Sequence, residues 1–192
     1  MASRALKNAA LAYLTAAGEP ALAARQFAAA SNMTDTLAAL TNLAEVPNAD
    51  RDNAFAAFYA QWRSNPLVLD KWFAVQARAG APDTLNRVQE LTRHPDFDLR
   101  NPNRVRALIG ALSGNPAQFH DASGAGYQLL ADTILTLDAT NPQIAARLAT
   151  ALGSWRRYDA TRQAMMKAQL ERILAKEKLS HNTYEMASKA LA

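Results

Sequence analysis

The chain has 192 residues, of which 49% are hydrophobic, and a formal net charge of +4. This charge is too small to indicate a nucleic-acid partner, and the lack of cysteine excludes disulfides and favours a reducing, cytoplasmic location. No apolar run approaches the roughly 18 residues of a membrane-spanning helix, so we expect no membrane partner.

Alanine dominates the composition, with 43 residues against 7 glycines. Alanine is the best helix former, and a bias of this size along the whole chain favours helix nearly throughout. No alternating run rich in β-branched residues indicates a strand. The composition therefore predicts an all-α fold.

Prolines separate the periodic segments, and four of the eight prolines directly follow an asparagine. An asparagine side chain can cap a helix and proline fits its first position, so each Asn-Pro pair predicts a helix start. The predicted helices are 3–17, 19–31, 34–45, 49–63, 66–79, 83–93, 102–112, 124–138, 142–154, 159–178 and 181–190.

Most links between these helices are two to six residues long, which forces neighbouring helices to run antiparallel. The hairpins recur every 35–40 residues or so, as in helical repeats, although no consensus repeats at a fixed period. We therefore predict a superhelical stack of antiparallel hairpins, a solenoid of the HEAT or armadillo type. No linker-like segment divides the chain, so one domain over 1–192 is expected.

Four aromatic residues lie on one face of the fourth predicted helix, at the spacing i, i+3, i+4, i+7. They are Phe55, Phe58, Tyr59 and Trp62. Aromatic residues at this spacing usually face the interior of the fold. The pattern predicts a core face.

No catalytic or metal-binding constellation emerges from the sequence. The three histidines, His94, His120 and His181, fall on different segments, and the pattern H-E-x-x-H is absent. We expect each histidine at the surface or in a loop. The glycines of "SGAGY" lack the lysine and hydroxyl residue of a phosphate loop, so they predict a tight turn instead. No residue is assigned as catalytic, and no metal ligand or cofactor is expected in this chain.

Three arginines invite a functional interpretation. "RNPNRVRALIGAL" places Arg104 and Arg106 near a helix start, where the helix dipole favours acidic residues. Arg147 lies in "NPQIAARL" among apolar neighbours. Each guanidinium is either solvated at the surface or lines a partly shielded cavity and faces something negative.

The motifs "RNPNRVRALIGAL", "NPAQFH", "SGAGY", "NPQIAARLATAL", "RRYDATRQ" and the terminal "KALA" resemble the C-terminal helical domain of the bacterial aminopeptidase N family of zinc-dependent alanyl aminopeptidases. The resemblance is close from about residue 96 to 192 and fainter over 3–95. It implies that this chain is the C-terminal domain of a longer aminopeptidase, whose zinc site with H-E-x-x-H and catalytic groups lie elsewhere. The isolated region is then expected to be inactive.

The resemblance also implies a role for the domain and for its arginines. In the family this domain is a noncatalytic lid that closes over the catalytic domain and lines the cavity that holds peptide substrates. Arg106 and Arg147 match positions on that lining, and Arg104 is a weaker match. The expected partners are the other domains of the parent chain and peptides. The alternative is a free-standing helical-repeat module that binds a protein or peptide on its concave face.

Overall fold

The computed structural model describes residues 2–192, and within this range every regular element is helical. The all-α prediction is confirmed. The helices gather into two compact units, residues 1–84 and 85–192. The boundary falls at the start of a helix, directly after the turn "GAPD", and no long linker marks it. The structure shows two compact units, and the single domain expected over 1–192 stays a prediction.

The first unit contains five helices joined by short turns. They are α1 (Ala2–Ala16), α2 (Pro20–Ala29), α3 (Met33–Ala44), α4 (Ala49–Trp62) and α5 (Pro66–Arg78). Helix α1 packs against both α2 and α3, and α4 packs against α3 and α5. The predicted bounds agree with these helices to within two residues.

The second unit is less regular. Its elements are α6 (Thr84–Leu91), α7 (Pro102–Val105), a π-helical turn (Arg106–Gly110), α8 (Ala111–Ser113), α9 (Pro116–Phe119), α10 (Ala125–Leu137), α11 (Pro142–Ala149), a 3₁₀ segment (Thr150–Arg157), α12 (Ala160–Leu174) and α13 (His181–Leu191). Helix α10 packs against α11 and α12, and α13 covers both of these.

Three predicted helices differ from the structure. The helix predicted over 102–112 is interrupted by the π-helical turn, and the one over 142–154 continues as the 3₁₀ segment. The helix predicted over 159–178 ends at Leu174, before Lys178 takes a left-handed φ of 56°. A short helix, α9, lies in a region without a predicted helix.

All four Asn-Pro pairs begin helices, as predicted. In each, the asparagine side chain accepts a hydrogen bond from a backbone N–H two or three residues on, and the proline occupies the first turn. The side chain thereby satisfies donors that a helix start leaves without a partner. These caps belong to Asn65, Asn101, Asn115 and Asn141.

The aromatic face of α4 is core only in part. Phe55 and Phe58 are 2% and 0% exposed, and the Trp72 indole donates a hydrogen bond to the Phe55 carbonyl at 2.9 Å. Tyr59 and Trp62 are half-buried. Trp62 lies at the last residue of α4 and borders a surface cavity together with Phe27, so the prediction that all four residues are core is corrected for the second pair.

A buried carboxylate ties α1 to α3. Asp35 accepts hydrogen bonds from Lys7 Nζ at 2.7 Å, from Asn8 Nδ2 at 3.1 Å and from Asn32 Nδ2 at 3.2 Å. The bond from Lys7, with those from the two asparagines, outweighs desolvation and lowers the pKa of Asp35 to about 2. The ionised carboxylate is therefore part of the folded first unit.

Truncation of Phe58 and Trp62 should separate core from surface. Phe58→Ala is expected to lower the free energy of unfolding by about 3–5 kcal/mol, because it leaves a cavity in a fully buried site. Trp62→Ala should cost clearly less, because its ring already borders solvent. Denaturant unfolding followed by circular dichroism measures both, and equal costs would place Trp62 in the core after all.

Asp35 should make stability depend on acid pH. Its folded pKa of about 2 lies below the ordinary 3.8, so its contribution is present above about pH 4 and is lost as the pH falls towards 2. Asp35→Asn should lower the melting temperature at neutral pH, and the deficit should shrink over that acid range. The matched control is Glu19→Gln, because Glu19 is exposed and makes no capping bond; a deficit that persists unchanged to pH 2 contradicts the assignment.

Candidate functional site

Arg106 and Arg147 border the same cavity in the second unit. The cavity has a volume of about 230 Å³ and lies where the π-helical turn faces α11 and the start of the 3₁₀ segment. Apolar groups such as Val105, Ile144 and Leu148 form much of the remaining wall. Two arginines predicted from separate motifs are thus brought together.

The local backbone places Arg106 at this wall. The Asn101 side chain accepts hydrogen bonds from the backbone N–H groups of Asn103 and Arg104, which fixes the start of α7. The π-helical turn then begins at Arg106 and ends at Gly110, which lies beside the Arg106 stem. π-Helical turns inside α-helices are frequent at functional sites.

Neither guanidinium is neutralised within residues 2–192. Both arginines are exposed, and Arg106 makes only a long hydrogen bond, from Nη1 to Asn103 Oδ1 at 3.4 Å. A second cavity, of about 390 Å³, shares Arg147 and contains Glu185 in its wall. Glu185 instead accepts from Lys189 Nζ at 2.6 Å, which lowers the pKa of Glu185. The donors of the two guanidinium groups therefore face solvent.

Arg104 is placed differently from the other two arginines. It is 5% exposed and is not among the residues that border the cavity. Residues two apart on a helix do not share a face, so Arg104 and Arg106 point apart. A substrate-lining role for Arg104 stays a prediction that the cavity's geometry does not support.

A polar network around His120 was not foreseen in the sequence. Its Nδ1 lies 2.8 Å from the Tyr127 hydroxyl, and its Nε2 lies 2.7 Å from the Tyr158 hydroxyl. Arg162 Nε donates to the His120 carbonyl oxygen at 2.7 Å, while Arg162 Nη1 pairs with Asp159 at the same distance. The network joins the end of α9 to α10 and to the start of α12.

The pKa shifts of His120 and Tyr127 favour their neutral forms, which fits a structural role for this network. Burial, helped by the nearby Arg162 charge, lowers the pKa of His120, which favours the neutral imidazole. Burial also raises the pKa of Tyr127 to about 12. A neutral imidazole donates through one nitrogen and accepts through the other, so it can bridge two hydroxyl groups. His120 therefore lies in the turn after α9, in keeping with the loop position expected from the sequence, but it is partly buried and links three elements.

The two glycines of "SGAGY" are explained by the local backbone geometry. Gly124 has a φ of 70°, in the left-handed region, and precedes α10 directly. A Cβ at Gly126 would lie 2.7 Å from the Phe119 carbonyl oxygen, so a side chain there would collide with α9. The tight turn predicted for these glycines is present.

The described residues offer no zinc site. No group of three or more histidine, cysteine, aspartate or glutamate side chains in 2–192 is arranged to hold a metal ion. The donor set of this region therefore does not fit the zinc that the family resemblance implies for the longer enzyme. Over the same range, no helix combines the length and apolar character needed to cross a membrane.

Comparison with known proteins gives consistent matches. A family model described as "Domain of unknown function (DUF3458_C) ARM repeats" matches residues 1–192. Aminopeptidase N of Caulobacter vibrioides is 52% identical over 98% of this chain, and that of Escherichia coli is 44% identical over 100% of it. The chain covers 22% of each of these relatives.

A solved structure agrees with these relatives. The crystal structure of Legionella pneumophila aminopeptidase A in complex with aspartic acid matches 98% of this chain with a TM-score of 0.92 and 40% identity. This chain covers 23% of that protein. The chain thus spans about a fifth of the length of the proteins that it matches.

Removal of the cavity arginines should hardly affect folding. Arg106→Ala and Arg147→Ala are expected to change the free energy of unfolding by less than about 0.5 kcal/mol, because exposed charges without carboxylate partners contribute little. Arg162→Ala is the matched comparison and should cost clearly more than either of them, because it removes the hydrogen bonds of Arg162 to the His120 carbonyl oxygen and to Asp159. Chemical denaturation of the three variants tests this, and a loss at Arg147 as large as that at Arg162 would mark Arg147 as structural.

Proposed function

Because the chain belongs to the DUF3458_C family of ARM-repeat domains, we propose that it is the noncatalytic C-terminal domain of a longer aminopeptidase and lines that enzyme's substrate cavity. The longer enzyme would remove N-terminal residues from peptides. The domain would act as a lid over the catalytic part, which lies outside this chain. A cytoplasmic location, favoured by the absence of cysteine, belongs to the same proposal.

The observation that carries the substrate role is the pair of arginines at one cavity. Arg106 and Arg147 reach the same 230 Å³ space from two different elements. A guanidinium group presents five donors in a planar fork that suits carboxylates and carbonyl oxygens. A peptide held by its amino end at a distant catalytic centre would direct its carbonyl groups and its C-terminal carboxylate towards such donors.

The chemistry itself is assigned to the rest of the longer enzyme. Zinc would be bound there, since no group of side chains within residues 2–192 is arranged to hold a metal ion. The residues of this chain would bind and orient the distal part of the substrate. They contribute no general base and no nucleophile in this proposal.

Kinetic measurements on the longer enzyme should show whether the two arginines contribute to substrate binding. Arg147→Ala removes a charge-assisted hydrogen bond that is typically worth about 1.5–3 kcal/mol, which corresponds to a loss of about 10- to 150-fold in kcat/KM if the bond is made in the transition state. We expect this loss on peptides of several residues, and a smaller loss on single-residue chromogenic amides, which have no peptide C-terminus. Arg106→Ala should behave in the same way.

The matched control for these kinetics is Arg157→Ala. Arg157 is exposed in the same unit and does not border the cavity, so its removal should leave kcat/KM unchanged on every substrate. Equal kinetics of Arg147→Ala and the unchanged enzyme on long and short substrates would contradict the substrate role. A uniform loss in all three variants would point to a general charge effect instead.

A further inference from the structure

The outward face of α1 is apolar and has no partner within residues 2–192. Leu6 is 73% exposed and Tyr13 is 82% exposed, while Leu14 beside them is 46% exposed. Ala9 and Ala10, which lie between Leu6 and Tyr13 on the same side of the helix, are exposed as well. We call these five residues the α1 face.

The opposite side of α1 already meets the needs of the first unit. Leu11 is buried there and Asn8 binds the Asp35 carboxylate of α3, while Lys7 reaches the same carboxylate from the flank that it shares with Leu14. The unit therefore does not require the α1 face for its own core. Contiguous apolar surface of this kind marks an interaction site far more often than isolated exposed leucines do.

We infer that the α1 face docks onto an apolar surface of the chain that precedes this region in the longer aminopeptidase. The inference rests on the proposed function, in which this region is the C-terminal part of such an enzyme. About four-fifths of the length of the matched relatives lies outside the region covered here, whereas nearly the whole of this chain is matched.

The covalent link between α1 and the preceding chain favours that chain, rather than a separate protein, as the partner of the α1 face. Helix α1 is the first element of the region, and Leu6 lies near its start. A surface that precedes α1 in the same chain is held close to the α1 face at a high effective concentration. Since the five residues carry no charge, the complementary surface is expected to be apolar, with aliphatic or aromatic side chains.

Cysteine labelling of the longer enzyme tests the inference. Tyr13→Cys reports on the α1 face, and Leu67→Cys is the matched control, because Leu67 is 71% exposed in the same unit but lies on α5. The region has no cysteine of its own, and peptide mass spectrometry assigns each modified site. Reaction with a maleimide is followed in the native and the denatured enzyme.

The expected result is native labelling at position 13 at least tenfold slower than at position 67, with equal rates after denaturation. Equal native rates at the two positions, whether fast or slow, overturn the inference. Protection at position 13 that disappears on dilution assigns the face to a second copy and also overturns it. Labelling does not depend on turnover, so unchanged kinetics of Arg147→Ala would reject the substrate role without affecting this result.

Discussion

The side-chain cap of an asparagine followed by proline fixes where four of the helices begin, and the position of the cavity arginines depends on it. Asn101 starts α7, and Arg106 follows five residues later. Asn141 starts α11, and Arg147 follows six residues later. Because a helix advances about 100° and 1.5 Å per residue, a fixed start sets both the height and the direction of each guanidinium. Two local capping interactions therefore set where the two arginines lie along their helices, and the packing of those helices brings both arginines to one cavity.

The sequence predicts best those helices whose ends and extent are set by interactions between residues close in sequence. The caps, the alanine-rich segments and the turn at Gly124 act within a few residues, so they are visible in the sequence. The π-helical turn and the 3₁₀ segment were not predicted, because their residues are compatible with an ordinary α-helix and tertiary packing selects the different hydrogen bonds. For the same reason the α4 pattern gave the helix face correctly but not the depth to which Trp62 is buried.

The long-range contacts of the site were less accessible to sequence reasoning. The His120 network joins residues up to 42 positions apart, and no spacing rule relates a histidine to such distant partners. Five of the six motifs that carried the family resemblance nevertheless divide between two places in the structure. "NPAQFH", "SGAGY" and "RRYDATRQ" meet in or beside the His120 network, whereas "RNPNRVRALIGAL" and "NPQIAARLATAL" meet at the cavity. The first group of motifs forms contacts that hold the second unit together. The second group supplies Arg106 and Arg147, whose charges no carboxylate within residues 2–192 neutralises.

In the proposed function, covering the cavity would strengthen the interactions of these donors. In this region Arg106 and Arg147 are exposed to water, which screens their charges and keeps their contribution to folding small. A protein surface closing over the cavity would exclude water and lower the local dielectric constant, so that each guanidinium would attract a carboxylate or carbonyl oxygen more strongly. The same step would raise the cost of leaving the charges without partners. Closure would therefore favour the state in which an anionic ligand is present, and in the proposed function it would couple substrate binding to docking.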